Sequence, residues 1–344
     1  MKISPRKIFL VIIGIVIILT VDVLYHAWFL TPEVGTVSVT IQSTSGGDVT
    51  RGLAQAGVVR NPWLFRLYFA FNRRTSRLKS GGYELAPNAP YIEILNQLTK
   101  GIPKTEVQVK IIEGWTVTDV EHTLVQDFGV AATSVQAQIG RSANRDAFDP
   151  AWRSEFSFLK ALPSERSLEG YLFPDTYRVW KEQLPEGLVR KQLQTFQSQV
   201  ASLPLTEKSL PLKSLDEVVR LASIVEKEVA TDQDRRLVAG VFLTRLREGM
   251  PLQSDATVQY VTQSGRARST FTDLQIRSDF NTYRKSGLPP APIANPSLSA
   301  IEAVLNPNIQ GYRYFLTDKA GKVYYGKTLA EHAQNRIKAQ FDES

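Results

Sequence analysis

Cysteine is absent from the 344 residues, which excludes a disulfide framework, a thiol nucleophile and a thiolate metal site. Histidine occurs only as His26, His122 and His332, far apart and in no HExxH pattern, so no metal site or cofactor is expected. A glycine-rich phosphate loop is missing as well, which argues against ATP-driven chemistry. The net charge is +7, yet no RNA-recognition, helix-turn-helix or zinc-finger pattern accompanies it, so nucleic acid is not an expected partner. The positive excess reads as a basic surface, suited to anionic lipid headgroups or acidic polymers. No internal repeat is visible. A hydrophobic share of 43% and a charged share of 22% describe an ordinary folded chain, long enough for two domains.

One long apolar run is present. Lys2, Arg6 and Lys7 precede an almost uninterrupted apolar stretch over 8–30, broken by Asp22. Its length predicts a transmembrane helix, and the flanking charges place the tail 1–7 in the cytoplasm. A cleavable signal peptide is the rival, but neither a small-x-small site nor a lipobox cysteine follows. The expectation is a single-pass protein of the plasma (inner) membrane, with everything after about residue 35 outside the cytoplasm.

Past the anchor, residues 37–42 alternate as a half-buried strand, with Val37, Val39 and Ile41 on one face. Helices are expected over 49–58 and from Asn61-Pro62, then a strand at 80–85 and a helix from Pro90 to Lys100. This order suggests a small LysM-like α+β module over 36–104. A connecting α+β segment is expected over 105–165, with a strand at 106–112 and Thr118 capping a helix with Glu121. The final domain, 166–344, reads as a mixed, helix- and loop-rich α+β fold. Ser214-Leu-Asp-Glu217 is a capping box opening a helix to about Ala230, and Thr231 caps the next, which ends at Gly249. Residues 287–296 carry too many prolines for a long regular element, and a terminal hairpin and helix follow.

Two segments carry chemistry. Ala222-Ser-Ile-Val-Glu-Lys-Glu228 sets two carboxylates in an apolar helix, where carboxylic acids hold their protons to high pH. Leu168-Glu-Gly-Tyr-Leu-Phe-Pro-Asp-Thr-Tyr177 is an aromatic, proline-broken stretch of the kind that lines a cleft. On an ideal helix Glu228 lies beside Leu221 and Ile224, and Glu226 beside Leu215, Val219 and Ala222. The two therefore point to nearly opposite sides. One can face a cleft while the other meets the protein body, or each can simply pair with an arginine of 234–236 or 245–247. Periodicity does not say which.

Those two segments resemble the endolytic murein transglycosylase (YceG-like) family. So do Arg245-Leu-Arg-Glu-Gly-Met-Pro-Leu-Gln-Ser-Asp255, Asn281-Thr-Tyr283, Gly287-Leu-Pro-Pro290, Pro292-Ile-Ala-Asn-Pro296 and Glu331-His332. Ala256 stands where the family has proline, and Ser297 where it has glycine. The resemblance implies that Glu228 is catalytic and Glu226 structural. It also implies that Glu169, Asp175, Gln253, Asp255, Asn281, Tyr283 and Asn295 belong to the substrate groove. The implied substrate is nascent, uncrosslinked peptidoglycan, cut between N-acetylmuramic acid and N-acetylglucosamine to leave 1,6-anhydro ends. Such a lyase would act as a terminase of strand elongation, beside glycan polymerases or penicillin-binding proteins. A non-catalytic peptidoglycan-binding scaffold and a muramidase-type hydrolase remain the alternatives. A penicillin-binding serine enzyme is rejected, because Ser142-Ala-Asn144 precedes Ser157-Phe-Leu-Lys160 instead of following it.

Overall fold

The computed structural model describes residues 5–41, 43–72, 77–101, 105–142, 147–263 and 269–341, with side chains assigned from 12 to 339. Gln42, expected in the first strand, lies outside them. The chain divides into two compact units, 1–104 and 105–344, and both are α+β.

In the first unit, helix α1 (Pro5–Trp28) leads to strand β1 (Val37–Ile41). Helices α2 (Gly46–Gln55) and α3 (Pro62–Phe71), strand β2 (Gly81–Leu85) and helix α4 (Tyr91–Lys100) follow. β1 and β2 pair antiparallel, from Val37 opposite Leu85 to Ile41 opposite Gly81. The alternation read from the sequence holds, since Val39 and Ile41 are buried while Ser38 and Thr40 are exposed. Their inner face meets Leu53, Phe65, Ile94 and Leu95 in one apolar core.

The transmembrane span expected at 8–30 finds no support here. A helix does form over that stretch, but among the described residues no helix is long and apolar enough to cross a membrane. The end of α1 packs on the small module. Ala27 is fully buried, Val23 and Leu30 pack against the module core, and His26 Nε2 lies 3.1 Å from Asn61 Nδ2. Other apolar side chains of the run are exposed, from Ile12 to Val21 and again at Leu24, Tyr25, Trp28 and Phe29.

The second unit begins with strand β3 (Glu106–Lys110). Helices α5 (Val117–Phe128), α6 (Ala132–Ile139) and α7 (Ala151–Glu155) precede strand β4 (Thr176–Trp180) and helix α8 (Glu186–Phe196). β3 pairs antiparallel with β4, Glu106 opposite Trp180. The cap of α5 differs from expectation. Thr116, not Thr118, accepts from Asp119 N, and the Asp119 carboxylate accepts from Thr116 N in return, so the box is complete two residues earlier.

The centre of the unit is helical. α9 (Leu215–Glu228) starts at Ser214, whose hydroxyl accepts from Glu217 N at 3.2 Å. α10 (Asp232–Arg247) starts at Thr231 and closes over Gly249 at φ 69°, with Met250 N returning to Arg245 O. Short helices α11 (Asp255–Thr262) and α12 (Phe271–Leu274) follow, and α13 (Leu298–Leu305) packs on both α9 and α10. The antiparallel hairpin β5 (Tyr314–Thr317) and β6 (Val323–Gly326) leads into α14 (Leu329–Phe341). Val109, Leu159, Val218, Ile224, Phe242 and Ile301 belong to one hydrophobic core, to which 105–165 and 166–344 both contribute.

Gly240 lies in the interior of α10, where helix propensity favours alanine by about 1 kcal/mol. A Cβ there would stand 2.3 Å from the backbone oxygen of Asn308, in a chain segment that cannot yield as a side-chain tip would. Contact therefore outweighs propensity. Gly240→Ala is expected to destabilise the second unit by about 1–3 kcal/mol, read as a lower midpoint in urea denaturation; a stabilised variant would refute the contact.

Candidate active site

The C-terminal turn of α9 separates the two glutamates. Glu226 turns into the protein. Its carboxylate accepts from Arg235 Nη2 and from Ser297 N, each at 2.9 Å, and from the Ser297 hydroxyl. Arg235 and Glu226 side chains are only 10% and 6% exposed, so this is a buried ion pair; Arg235 Nη1 turns to Asp232 and Ser299, and its Nε has no hydrogen-bond partner among the described residues. Ser297 also caps α13 by accepting from Ala300 N, which places Glu226 at the positive end of that helix. Serine at 297 thus does work that a glycine could not.

Glu228 faces the other way, into a cavity of about 700 Å³, a size typical of ligand sites. Burial pushes its carboxyl up to about 7. The Ser254 hydroxyl, which donates to Oε1, opposes that rise; the charge of Asp255 adds to it and that of Arg245 subtracts. Ser254 occupies the position preceding α11, yet its side chain makes no capping bond. Its hydroxyl is directed to Glu228 instead. The backbone there is held by a second segment: Ser254 N donates to Thr282 Oγ1 at 3.0 Å, and Gln253 N, at φ 51°, to Thr282 O at 3.1 Å. Tyr283 donates to Asp255 Oδ1 at 2.6 Å, and burial and that carboxylate both raise the phenol's pKa.

Of the expected groove residues, Gln253, Asp255 and Tyr283 line the cavity with Glu228, and Glu169, Asp175, Asn281 and Asn295 do not. Asp175 is exposed, bonding its neighbour Thr176 N. Asn281 is buried and braces its own loop, donating to Leu274 O and Ile276 O and accepting from Tyr283 N. Asn295 is fully buried. Its amide oxygen accepts from Gly170 N and Leu172 N at 2.9 and 3.0 Å, and its nitrogen donates to Trp115 O at 2.9 Å. One side chain thereby ties the aromatic segment to the proline-rich loop. Glu169 is sealed beneath, accepting from Val117 N and Tyr260 at 3.0 Å each. Burial raises its carboxyl to about 8, those two bonds acting against the rise.

Ser254, Arg245, Gln259 and the hairpin–α14 residues, among them Tyr314, His332 and Arg336, belong to the site without having been singled out for it. Arg245 donates to Arg313 O and Leu252 O at 2.6 Å each. Ser254 and Arg245 sit inside a motif quoted above, where a serine one residue before an aspartate gives no separate signal.

The chain belongs to the YceG-like family, whose model matches residues 39–338. It is 32% identical over 319 residues to a Streptococcus pneumoniae serotype 2 protein named endolytic murein transglycosylase, covering 86% of this chain. It spans 57% of that relative's length. A Bacillus subtilis protein of the same name is 31% identical over 320 residues, 90% of this chain and 86% of its own. A crystal structure of a YceG-like protein from Listeria monocytogenes superposes with a TM-score of 0.52 at 30% identity, over 88% of this chain and 99% of that one.

The two glutamates should separate in stability measurements. Glu226→Gln leaves Arg235 with only the exposed Asp232 as countercharge and is expected to cost up to about 3 kcal/mol. Glu228→Gln removes a carboxyl whose ionisation burial disfavours, so its folding stability at pH 8 should equal or exceed the parent's. Equal losses in the two variants would contradict the division of roles.

Proposed function

We propose that this chain is an endolytic murein transglycosylase that cuts nascent peptidoglycan strands between N-acetylmuramic acid and N-acetylglucosamine, with Glu228 as the catalytic residue. The observation that carries the reading is a buried carboxyl with a pKa near 7, lining an open polar cavity beside a hydroxyl, an amide and a phenol. Below that pH most molecules hold the proton that a glycosidic oxygen must receive as its bond to the muramic acid breaks. The glutamate left behind is then a base of matching strength for the muramic acid's C6 hydroxyl. Attack of that oxygen on C1 closes a 1,6-anhydro ring and returns the proton to Glu228. Water takes no part, so one carboxyl suffices. The family membership and the names of the relatives support the same substrate class.

A hydrolytic variant has one observation in its favour: Asp255 lines the same cavity and could orient a water, as two-carboxylate glycosidases do. The reading further places the second unit outside the cytoplasm, with the first unit as a LysM-like glycan-binding module. The β-α-α-β order of β1, α2, α3 and β2 supports the module. The cationic residues before the apolar run support a membrane-associated N-terminus, as do the side chains of Ile12, Ile15, Val16, Ile17, Ile18 and Val21, each more than half exposed. Action beside a glycan polymerase follows from a substrate that is still being made.

Purified uncrosslinked strands incubated with the protein should yield anhydro-ended fragments by mass spectrometry, and Glu228→Gln should yield none. Free reducing ends would select the hydrolytic reading, and no cleavage by the folded parent would sink both. The pH profile carries a separate expectation. Because Glu228 must begin protonated, kcat/KM should fall as pH rises through about 7. Ser254→Ala removes the hydrogen bond that favours the ionised form, so the alkaline limb should move to higher pH; a limb that stays put would assign it to another group.

A further inference from the structure

The cavity has a second set of lining residues that the reaction at Glu228 does not use. They come from the hairpin and α14: Tyr314, Asp318, His332 and Arg336 among them. His332 and Arg336 are four residues apart on α14 and so share one face of the helix, with Ala339 continuing it to the same cavity. The His332 ring is stacked on Tyr314, centroids 5.4 Å apart, which sets its plane. Its Nδ1 is buried with no hydrogen-bond partner among the described residues, so the ring is left to meet the cavity that it lines with its other edge.

Among the other cations that line the cavity, Arg245 is committed to two backbone carbonyls and Lys227 lies 3.4 Å from Gly114 O. Asp318, the anion of this region, accepts from Lys322 N inside its own turn. Arg336 is exposed and has no hydrogen bond or carboxylate partner among the described residues. A free guanidinium one turn from an imidazole that lines the same cavity is a donor pair suited to a planar anion.

We propose that His332 and Arg336 form a carboxylate-binding subsite of the cleft, which holds an acidic substituent of the muramic acid residue. This deepens the transglycosylase reading and rests on it, because in such a glycan the anionic groups are carboxylates. They have two sources. In denuded strands the lactyl group ends in a free carboxylate; in strands that keep their peptide stems that group is an amide, and the carboxylates belong to the peptide. Either would enter the same subsite and position the sugar ring relative to Glu228. His332 supplies a neutral donor and acceptor, since burial and the nearby Arg336 and Arg245 charges lower its pKa; the charge is Arg336's.

The test compares the full chain with Arg336→Gln and Arg336→Lys on stem-bearing strands, on denuded strands and on both after methyl esterification. Loss of a charged hydrogen bond should raise KM about tenfold on the source that binds, with the loss falling on KM and not on kcat. Lysine should recover part of it. Esterification should weaken the parent by a similar factor and add little to the loss in Arg336→Gln. A KM effect confined to denuded strands identifies the lactyl carboxylate, and one confined to stem-bearing strands identifies the peptide. If KM is the same in parent and variant on both substrates, or if esterification weakens the two equally, the subsite is wrong. If the parent itself leaves all strands intact, it is the transglycosylase reading that fails. Arg336 is exposed, so misfolding is not expected; an unchanged melting temperature in Arg336→Gln verifies that the comparison is one of binding.

Discussion

The buried pair between Glu226 and Arg235 is the constraint on which the site depends. It ties the last turn of α9 to the first turn of α10, and through Ser297 it ties both to the start of α13. Those helices are packed against one another over apolar faces that would otherwise be free to slide or rotate by small amounts. A buried charge pair whose carboxylate is held from two elements has one good geometry. Breaking it costs up to about 3 kcal/mol, so it fixes the rotation of α9 more sharply than apolar packing does. Once that rotation is set, Glu228 has nowhere to point except the cavity.

The same economy appears on the substrate side. Ser254 stands where a helix start would use its hydroxyl, and α11 goes without. The backbone around it is held instead by Thr282 and Thr257. A side chain that could have stabilised local structure thereby remains free to tune an acid. Asn281 and Asn295 show the converse: they are polar, buried and near the site, and they hold loops together without reaching the cavity. Residue type alone would place all three in the same category.

Much of the architecture was legible because it rests on local physics. The strand at 37–41, the caps at Ser214 and Thr231, the turn at Gly249 and the terminal hairpin follow from periodicity and capping chemistry. β4 was not legible. Thr176–Trp180 alternates, but over only five residues at the end of an aromatic, proline-broken stretch, and β3 supplies its partner from 70 residues away; the part expected to line a cleft is anchored through Asn295. The opposite facing of Glu226 and Glu228 was readable from helix geometry, but their roles were not, since Arg235 and Ser254 come from separate elements. The apolar N-terminal run illustrates a different limit. Hydropathy counts side chains without knowing that Ala27, Val23 and Leu30 have a partner surface in the small module.

The spacing of the two glutamates has a consequence for how α9 can change. Each residue added to or removed from a helix turns everything beyond it by about 100°. Within 226–228 such a shift would put another residue where Glu228 stands or withdraw Glu226 from Arg235, so only one of the two carboxylates could keep its surroundings. Substitutions along the buried faces can be absorbed by repacking, but a change in length here parts one of the two carboxylates from its partners. The helix is therefore a ruler as well as a scaffold, and the two residues from Glu226 to Glu228 set the angle between the directions in which they point.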